Sequence, residues 1–538
     1  MNKIRYSFLE SKNGGTIPAI INEAGEAQAL HSTVDPKREA QRLVSSIAED
    51  TGFIIFLGLG GGFAPEAALE LTDAFIVVID FDNDSIKELL KGRDYSKLLN
   101  SSRFKLLIDP DSGEIKNFLL ENYKPALCGG IKTIPLRSRI EHDKTIFEKT
   151  ADVLQEAINI VSGDYSVQAH FGIRWFSNII RNIKNAQNFD AQKYNSLGAG
   201  FTEAAVVAAG PSLDSQMDLL KDAKARGVFI ISTDTACAAL LQNGIAPNAV
   251  VSIDCQHISY YHFAGNSYKK NGEDIPLVLD IASPAMLAGF SSSPLFFSSG
   301  HPLALYISSS WRSFPLLDTS GGNVTYACLS LAEFLGAQRI TLFGADFSYV
   351  NSRSYARGTY LYSYFNKRQT RLSPAEAQFS AFLYRAPFVP AEDANKKNYY
   401  ETSSLRFYRK KLEEKVSRMD AEVNCAPGFG APIYIEKSSQ KSTSNNRFAA
   451  QRIEIKNDAM VKSGEEFLKN YCGDITALPP ADNAADYINK LNAKEKQIFT
   501  TLLPMAAAIK KRNASLKFHE IIEETKRRSV NEIEKVLK

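Results

Sequence analysis

Short apolar runs alternate with helical patterns along the middle of the chain. The predicted strands are 204–209, 228–231, 249–253, 277–280, 295–297 and 339–343, and a predicted helix spans 323–335. Apolar runs of this length are typical of parallel strands that are covered on both faces. Because these strands alternate with helices, the pattern predicts a doubly wound, mostly parallel α/β sheet of the Rossmann-like kind.

A smaller α/β unit of the same kind is predicted near the beginning of the chain. Strand 53–57 runs directly into the glycine loop 58–62, and strand 75–79 ends at Asp80. This layout is typical of a dinucleotide-binding first turn with an acidic residue for the ribose. The third glycine is displaced from the usual spacing, however. We therefore predict a structural or acceptor-facing role for this loop, with a bound nucleotide as the alternative.

Helical periodicity from about 141 to 187 separates the two α/β regions, and the end of the chain is again helical. Four segments are predicted from these patterns. They are an N-terminal Rossmann-like domain (1–140), a helical connector (141–195), a central α/β domain (196–445) and a C-terminal helical domain (446–538).

Charge and composition exclude several classes of protein. Lys and Arg total 63 against 60 for Asp and Glu, whereas nucleic-acid binders carry concentrated basic stripes. No apolar run approaches the ~18 residues of a spanning helix, and the first residues lack a signal-peptide pattern. The six Cys form no CxxC pair and the seven His form no HExxH motif, so no metal site is predicted. We expect a cytoplasmic protein without nucleic-acid or membrane partners.

Small and hydrogen-bonding residues follow the predicted strands of the central sheet. In order, they are Gly210, Pro211, Ser212, Leu213, Thr233, Asp234, Asp254, Gln256 and Asp346. Ligands of such sheets bind beyond the carboxyl ends of the strands. The following stretch, 347–375, has no acidic residue and is rich in Tyr and Arg, which suits phosphate and carboxylate recognition. A nucleotide site with an anion-binding loop is predicted, and a solvated interdomain loop is the alternative.

These motifs, in this order, resemble the motility accessory factor family. The resemblance rests on 204–213, Asp234, 251–254, 321–323 and 342–347, together with 30–32, 35–36 and the glycine loop 58–62. Members are flagellin glycosyltransferases that use CMP-activated nonulosonic acids, which are sialic-acid-like sugars. The resemblance implies flagellin as acceptor, a CMP-linked sugar as donor and no further cofactor. Metal dependence and oligomeric state stay open.

The central block is also similar to bacterial sialyltransferases, which implies roles for individual residues. Tyr349 and Tyr355 would stabilise the departing phosphate, and Arg357 would add a fixed charge. A second set of residues would bind the nucleotide. It comprises Gly210, Pro211, Ser212 and Leu213 as a cradle, Gly321, Gly322 and Asn323 over the cytidine, and Thr233, Asp234, Asp254, Gln256 and Asp346 along the remaining donor site.

The catalytic base departs from the sialyltransferase pattern. Those enzymes place a His some 30 residues after the tyrosines, whereas this chain has no His between His301 and His519. Glu401 occupies the equivalent stretch and is predicted to take a catalytic role, while Asp254 and His257 are alternatives closer to the sheet.

Two other functions are alternatives to glycosyl transfer. The central block also resembles archaeal 6-hydroxymethylpterin diphosphokinase, which needs Mg²⁺ held by clustered carboxylates. Asp234, Asp254 and Asp346 all end predicted strands and are the candidates for such a cluster. The third function is that of a non-catalytic, flagellin-binding accessory protein.

Overall fold

The computed structural model describes residues 4–21, 25–265, 269–270, 273–392, 398–435, 463–481, 487–488 and 490–538. The chain packs into two compact units. The first contains residues 1–173 and 472–531, and the second contains 174–471 and 532–538. The last helices therefore belong mainly to the unit that also holds the N-terminal α/β region. The division into four segments made from the sequence stays a prediction.

The first unit contains two sheets. Strands β1 (Tyr6–Glu10), β2 (Thr16–Ile21) and β3 (Ala27–Ala29) form an antiparallel sheet. Strands β4 (Phe53–Leu57), β5 (Phe75–Asp80), β6 (Phe104–Ile108) and β7 (Ile131–Pro135) form a parallel sheet in the order β6-β5-β4-β7. The accompanying helices are α1 (Pro36–Ser45), α2 (Phe63–Leu71), α3 (Asn83–Gly92), α4 (Ser96–Leu99), α5 (Ser112–Asn122), α6 (Pro125–Cys128) and α7 (Arg137–Ile140). The predicted Rossmann-like topology is confirmed for this region.

Strand β4 is buried along its whole length because both faces of the parallel sheet are covered. Ile54 and Phe56 belong to the hydrophobic core that includes α1 and α2. Phe53, Ile55 and Leu57 belong to a second core that includes α5 and Phe147. Successive residues of a strand point to opposite faces, so an uninterrupted apolar run supplies both cores.

The glycine loop after β4 is packed against a buried ion pair. Arg139 and Asp80 are both fully buried, and Arg139 Nη2 lies 2.9 Å from Asp80 Oδ1. The second carboxylate oxygen of Asp80 accepts a hydrogen bond of 2.7 Å from the N–H of Leu59. A Cβ at Gly58 would lie 2.9 Å from Arg139 Cγ. Asp80, which a ribose would need, is therefore occupied by the chain's own Arg and backbone.

His31 packs against the other side of the glycine loop. Its Nε2 accepts a hydrogen bond of 2.7 Å from the N–H of Gly61, and a Cβ at Gly60 would lie 2.6 Å from that nitrogen. Burial and the neighbouring charge of Arg93 lower the pKa of His31 to about 4. The imidazole is therefore neutral at pH 7, as an acceptor must be. These contacts favour the predicted structural role of the loop.

The second unit is built on a seven-stranded parallel sheet. Its strands are β8 (Glu203–Val207), β9 (Phe229–Thr233), β10 (Ala249–Ser252), β13 (Leu277–Asp280), β14 (Leu295–Phe297), β15 (Arg339–Phe343) and β19 (Glu422–Cys425). They lie in the order β14-β13-β10-β9-β8-β15-β19. Every neighbouring pair is parallel. The predicted doubly wound sheet is confirmed, with β19 as an additional edge strand.

Helices and short strands complete the second unit. The helices are α9 (Lys193–Leu197), α10 (Leu213–Ala225), α11 (Asp234–Gln242), α12 (Ser259–Phe263), α13 (Pro302–Ser310), α14 (Val324–Phe334), α15 (Tyr360–Arg368), α16 (Ala375–Leu383) and α17 (Ser403–Val416), with a 3₁₀ turn at Ala285–Phe290. Strands β11 (Lys269–Lys270) and β12 (Glu273–Asp274) form a small hairpin. Strands β16 (Tyr349–Val350), β17 (Phe388–Glu392) and β18 (Asn398–Thr402) form an antiparallel sheet in the order β16-β18-β17.

Three helices contribute residues to both units. The first is α8 (Lys144–Asn185), a single element of 42 residues within the helical periodicity that the sequence shows from about 141 to 187. The others are α18 (Gly464–Ala477) and α20 (Phe518–Leu537), and α19 (Ala493–Arg512) lies between them in the first unit. Within the first unit, a Cβ at Gly172 of α8 would collide with the carbonyl of Pro504 in α19. None of the described helices is both long and apolar enough to cross a membrane.

The buried ion pair under the glycine loop leads to a stability prediction. Arg139→Leu leaves Asp80 buried without its cation, and removing one partner of a buried pair costs about 3–5 kcal/mol. We expect the free energy of unfolding, measured by chemical denaturation, to fall by that amount. Arg137→Leu changes an exposed Arg of the same helix and serves as the control. Equal stability of the two variants would contradict the role assigned to the pair.

Candidate functional site

The large sheet reverses its strand order between β8 and β15, and ligands of such sheets bind at this reversal. Gly210 follows β8 and Gly344 follows β15. The N–H of Gly210 donates to the carbonyl of Gly344 over 2.9 Å. A Cβ at either glycine would collide with the backbone of the other strand's extension. Both residues are therefore glycine because two backbones meet here.

The polar groups of Ser212, in the turn that begins α10, are hydrogen-bonded within the protein. Ser212 is 1% exposed, its N–H donates to Asp346 Oδ2 over 2.7 Å, and its Oγ accepts from the N–H of Phe429 over 2.8 Å. Pro211 and Leu213 are buried as well. Burial raises the pKa of Asp346, while the hydrogen bonds from Ser212 oppose that shift. Ser212 and Asp346 thus stabilise this turn together. Their contact with a nucleotide stays a prediction.

Asp214, in the first turn of α10, holds the arginine- and tyrosine-rich loop. Its carboxylate forms an ion pair with Arg353 and accepts a hydrogen bond of 2.9 Å from the N–H of Arg357. The N–H of Ala356 donates to the carbonyl of Ala209 over 2.8 Å. The loop is therefore fixed to the carboxyl end of β8, and the side chain of Arg357 is exposed.

This anchoring places Tyr355 beside the ends of the central strands. Burial raises the pKa of Tyr355, and the charges of Tyr349 and Asp234 raise it further. Tyr349 begins β16 and pairs with Tyr400 of β18. The structure thus brings Tyr349, Tyr355 and Asp234 into one electrostatic environment. A tyrosine with a raised pKa keeps its proton at pH 7, so Tyr355 is a neutral hydrogen-bond donor.

The ends of β9 and β10 carry two carboxylates with different surroundings. Asp234 is 1% exposed, and its oxygens accept from the N–H of Thr235 over 2.6 Å and from Ser252 Oγ over 2.7 Å. Thr233 caps helix α11 by accepting from the N–H of Ala236. Thr233 and Asp234 thus both stabilise this edge of the sheet. The charge of Asp234 also raises the pKa of Asp254 and of Tyr355.

Asp254 is the less constrained of the two carboxylates. Its Oδ1 accepts from the N–H of Gln256 over 2.9 Å, and Gln256 Nε2 lies at 3.5 Å from Oδ2. Burial raises its pKa, and the charge of Asp234 adds to the shift. A carboxylate with a raised pKa is a stronger base than a solvated one, which makes Asp254 a candidate for accepting a proton.

The glycine turn 321–322 before α14 packs against Tyr408, and Asp254 acts on Tyr408 through its charge. Asn323 caps α14 by accepting from the N–H of Tyr326 over 3.0 Å, and a Cβ at Gly321 would collide with the ring of Tyr326. Gly322 has φ +72°, and its missing Cβ would lie 3.1 Å from the ring of Tyr408. Burial raises the pKa of Tyr408, and so does the charge of Asp254.

Glu401 is held in an ion-pair network. It is 3% exposed, and its two oxygens lie 2.8 Å from Arg409 Nη2 and 3.2 Å from Arg406 Nε. Both oxygens of this carboxylate are therefore engaged by guanidinium groups. The catalytic role predicted for Glu401 stays a prediction, and this geometry favours Asp254 over it. His257 is exposed.

The structure thus groups some predicted residues and adds others. Asp234, Asp254, Gly322 and Tyr355 share one region, whereas Ser212 and Asp346 are occupied with each other at the strand reversal. Sequence reasoning missed Tyr408, His262 and Arg385. The ring of His262 lies 4.6 Å from that of Tyr360, and Arg385 acts electrostatically on Tyr355 and Tyr360. The tyrosine-rich stretch contained a signal for Tyr360, while Tyr408 and Arg385 lie in no local motif.

The carboxylates that follow these strands do not form a metal centre with other described residues. Among the described residues, no three His, Cys, Asp or Glu side chains are arranged to hold a metal ion. In particular, Asp346 is paired with Ser212, while Asp234 and Asp254 influence each other.

One known family model matches part of the chain. The family model described as 6-hydroxymethylpterin diphosphokinase MptE-like matches residues 177–352, which include β8 to β15. Two proteins of Treponema pallidum (strain Nichols), both described as uncharacterized, are similar in sequence. One is 43% identical over 117 residues, which is 21% of this chain and 41% of that protein. The aligned region thus spans about two fifths of this relative.

The second Treponema pallidum protein is 30% identical over 168 residues, which is 31% of this chain and 78% of that protein. The chain belongs to the same family as this protein.

A solved structure shares the fold along nearly the whole chain. It is that of the MAf glycosyltransferase from Magnetospirillum magneticum AMB-1, with a TM-score of 0.56 and 15% sequence identity. The match covers 99% of this chain and 92% of that one. At this identity the likeness establishes the fold. Together with the family model it confirms the resemblance to the motility accessory factor family.

Proposed function

We propose that the chain is a glycosyltransferase that moves a nonulosonic acid from a CMP-activated donor to Ser or Thr of flagellin. This activity would support assembly of the flagellar filament and motility. The observation that carries the proposal is the grouping of Tyr355, Asp234 and Asp254 at the carboxyl edge of the sheet, where the charge of Asp234 acts on both of the other residues. This edge occurs in a fold shared over nearly the whole chain with a protein named as a glycosyltransferase.

The departing phosphate is the group that Tyr349 and Tyr355 would stabilise. As the glycosidic bond breaks, negative charge develops on the phosphate, and hydroxyl donors held in place stabilise it most at that moment. The loop contacts of Asp214 fix Tyr355 before the substrate arrives. Neutral donors also release the product CMP more readily than a fixed ion pair would.

Asp254 is the residue that we propose as the proton acceptor for the acceptor hydroxyl. Its carboxylate accepts from Gln256, once over 2.9 Å and once over 3.5 Å, whereas Asp234 is bonded to Thr235 and Ser252 and Glu401 is paired with two Arg. Burial raises the pKa of Asp254. The transition state resembles an oxocarbenium ion, so the reaction needs only modest help from a base.

A second candidate function is transfer of pyrophosphate from ATP, which the match to the MptE-like family model favours. That chemistry requires Mg²⁺ bound by carboxylates and phosphates. Asp254 would be the most accessible carboxylate on this edge, since Asp346 is bonded to Ser212 and Asp234 to Thr235 and Ser252. The two functions differ in the nucleotide that the edge of the sheet would bind.

Nucleotide preference is the direct test of the two candidates. We expect CMP to raise the melting temperature of the full chain, because a ligand that binds only the folded state at 100 times its Kd adds about 2.7 kcal/mol of stability. ATP with Mg²⁺ should have no comparable effect. Stabilisation by ATP with Mg²⁺ alone would support pyrophosphate transfer, and stabilisation by neither would support a non-catalytic accessory role.

Tyr355→Phe tests the proposed role of the tyrosine hydroxyl. Removing one donor to developing charge costs about 10²–10³ in rate. We therefore expect turnover in a flagellin transfer assay to fall by that factor, with little change in CMP affinity or melting temperature. Tyr384→Phe, at an exposed tyrosine of the same region, is the matched control. Wild-type turnover in the Tyr355 variant would show that this tyrosine only packs against its neighbours.

A further inference from the structure

The candidate site holds two carboxylates and needs a cation to accept a negatively charged substrate. Asp234 and Asp254 contribute negative charge at the ends of β9 and β10, and the neighbouring tyrosines are neutral. Three cations on the surrounding elements are already paired, namely Arg353 with Asp214, Arg409 with Glu401, and Lys415 with Glu333. Binding of an anionic substrate therefore requires a further cation whose hydrogen-bond donors are not engaged by another residue.

Arg385 is such a cation. It follows helix α16, and its Cζ lies 3.6 Å from the centroid of the Phe382 ring. The Phe382 ring in turn lies 6.3 Å from that of Tyr355. Arg385 is exposed, and no carboxylate in the described part of the chain forms an ion pair with it. Stacking on an aromatic face holds a guanidinium in place while leaving its five N–H donors available.

The charge of Arg385 acts on the residues that face the proposed substrate. It opposes the upward shift of the pKa of Tyr355, and it does the same at Tyr360. Arg357, the arginine predicted from the sequence, lies in the loop segment that is fixed to Asp214. Arg385 is a cation whose charge acts directly on Tyr355.

We infer that Arg385 binds an anionic group of the donor substrate and selects for donors that carry one. This inference deepens the proposed function and rests on it for the identity of the donor. Two groups of a CMP-activated nonulosonic acid have the required chemistry, the phosphate diester and the sugar carboxylate. Arg suits both, because its planar fork matches two oxygens of either group.

The test compares Arg385→Gln with Arg226→Gln in the full chain. Arg226 is an exposed Arg at the C-terminal end of α10 and provides the same change of charge. Calorimetry would measure the affinity for CMP, CMP-N-acetylneuraminic acid and ATP with Mg²⁺. Charge-assisted hydrogen bonds are strong enough that their loss should weaken binding about 10-fold to 100-fold. We expect this loss in the Arg385 variant alone, with an unchanged melting temperature.

The probes distinguish the two anionic groups. If Arg385 contacts the phosphate, the variant loses affinity for CMP and for the sugar nucleotide alike. If it contacts the carboxylate, affinity falls for CMP-N-acetylneuraminic acid and stays the same for CMP. Either outcome supports the inference.

Other outcomes separate this inference from the proposed function. Wild-type affinity of the Arg385 variant for every probe that the unmodified chain binds would overturn the inference and leave the function intact. Binding of ATP alone, weakened in the Arg385 variant, would reject the proposed donor and retain Arg385 as the anion-binding residue. A chain that binds none of the three probes would contradict both.

Discussion

In the second unit, the carboxylate of Asp346 accepts a hydrogen bond from the N–H of Ser212 across the two strands where the sheet reverses its order. This contact is made possible by Gly210 and Gly344, whose backbones approach too closely for any side chain. It fixes the start of α10. Asp214 in the first turn of that helix then holds Arg353 and Arg357, so the position of Tyr355 depends on it.

The first unit also contains a glycine turn, which is stabilised by a different pair of residues. Its glycine loop lies against Arg139, which is bonded to Asp80 beneath the loop. The glycines of the second unit allow two backbones to approach, whereas those of the first unit make room for neighbouring side chains. In both units a buried carboxylate accepts a hydrogen bond from an N–H of the turn. An unpaired N–H in such a place would cost about 1–3 kcal/mol. Glycine turns with a nearby acid therefore arise from packing as well as from nucleotide binding.

The sequence allows the sheets to be predicted wherever their strands are buried on both faces. Strands 53–57 and 277–280 have the predicted bounds because each is buried along its whole length and is almost entirely apolar. Strands β1 and β19 escaped prediction because each exposes part of its length and lacks a continuous apolar run.

The site is harder to predict, because the same residue types serve ligand binding and packing. Ser212 and Asp346 have the composition of a nucleotide site, and the structure shows them bonded to each other. Tyr408 and Arg385 reach the site from distant parts of the chain. Only the packing of α16 and α17 reveals them, since no spacing in the sequence connects them to Tyr355 or Asp254.

The central claim is that this carboxyl edge transfers a sugar from a CMP-linked donor to flagellin. The most direct measurement is the intact mass of flagellin co-expressed with this chain and a nonulosonic acid pathway. The account predicts mass increments equal to whole nonulosonic acid residues, which disappear when Tyr349 and Tyr355 are both replaced by Phe. Unmodified flagellin in cells that contain the CMP-activated sugar, or equal increments with the double variant, would contradict it.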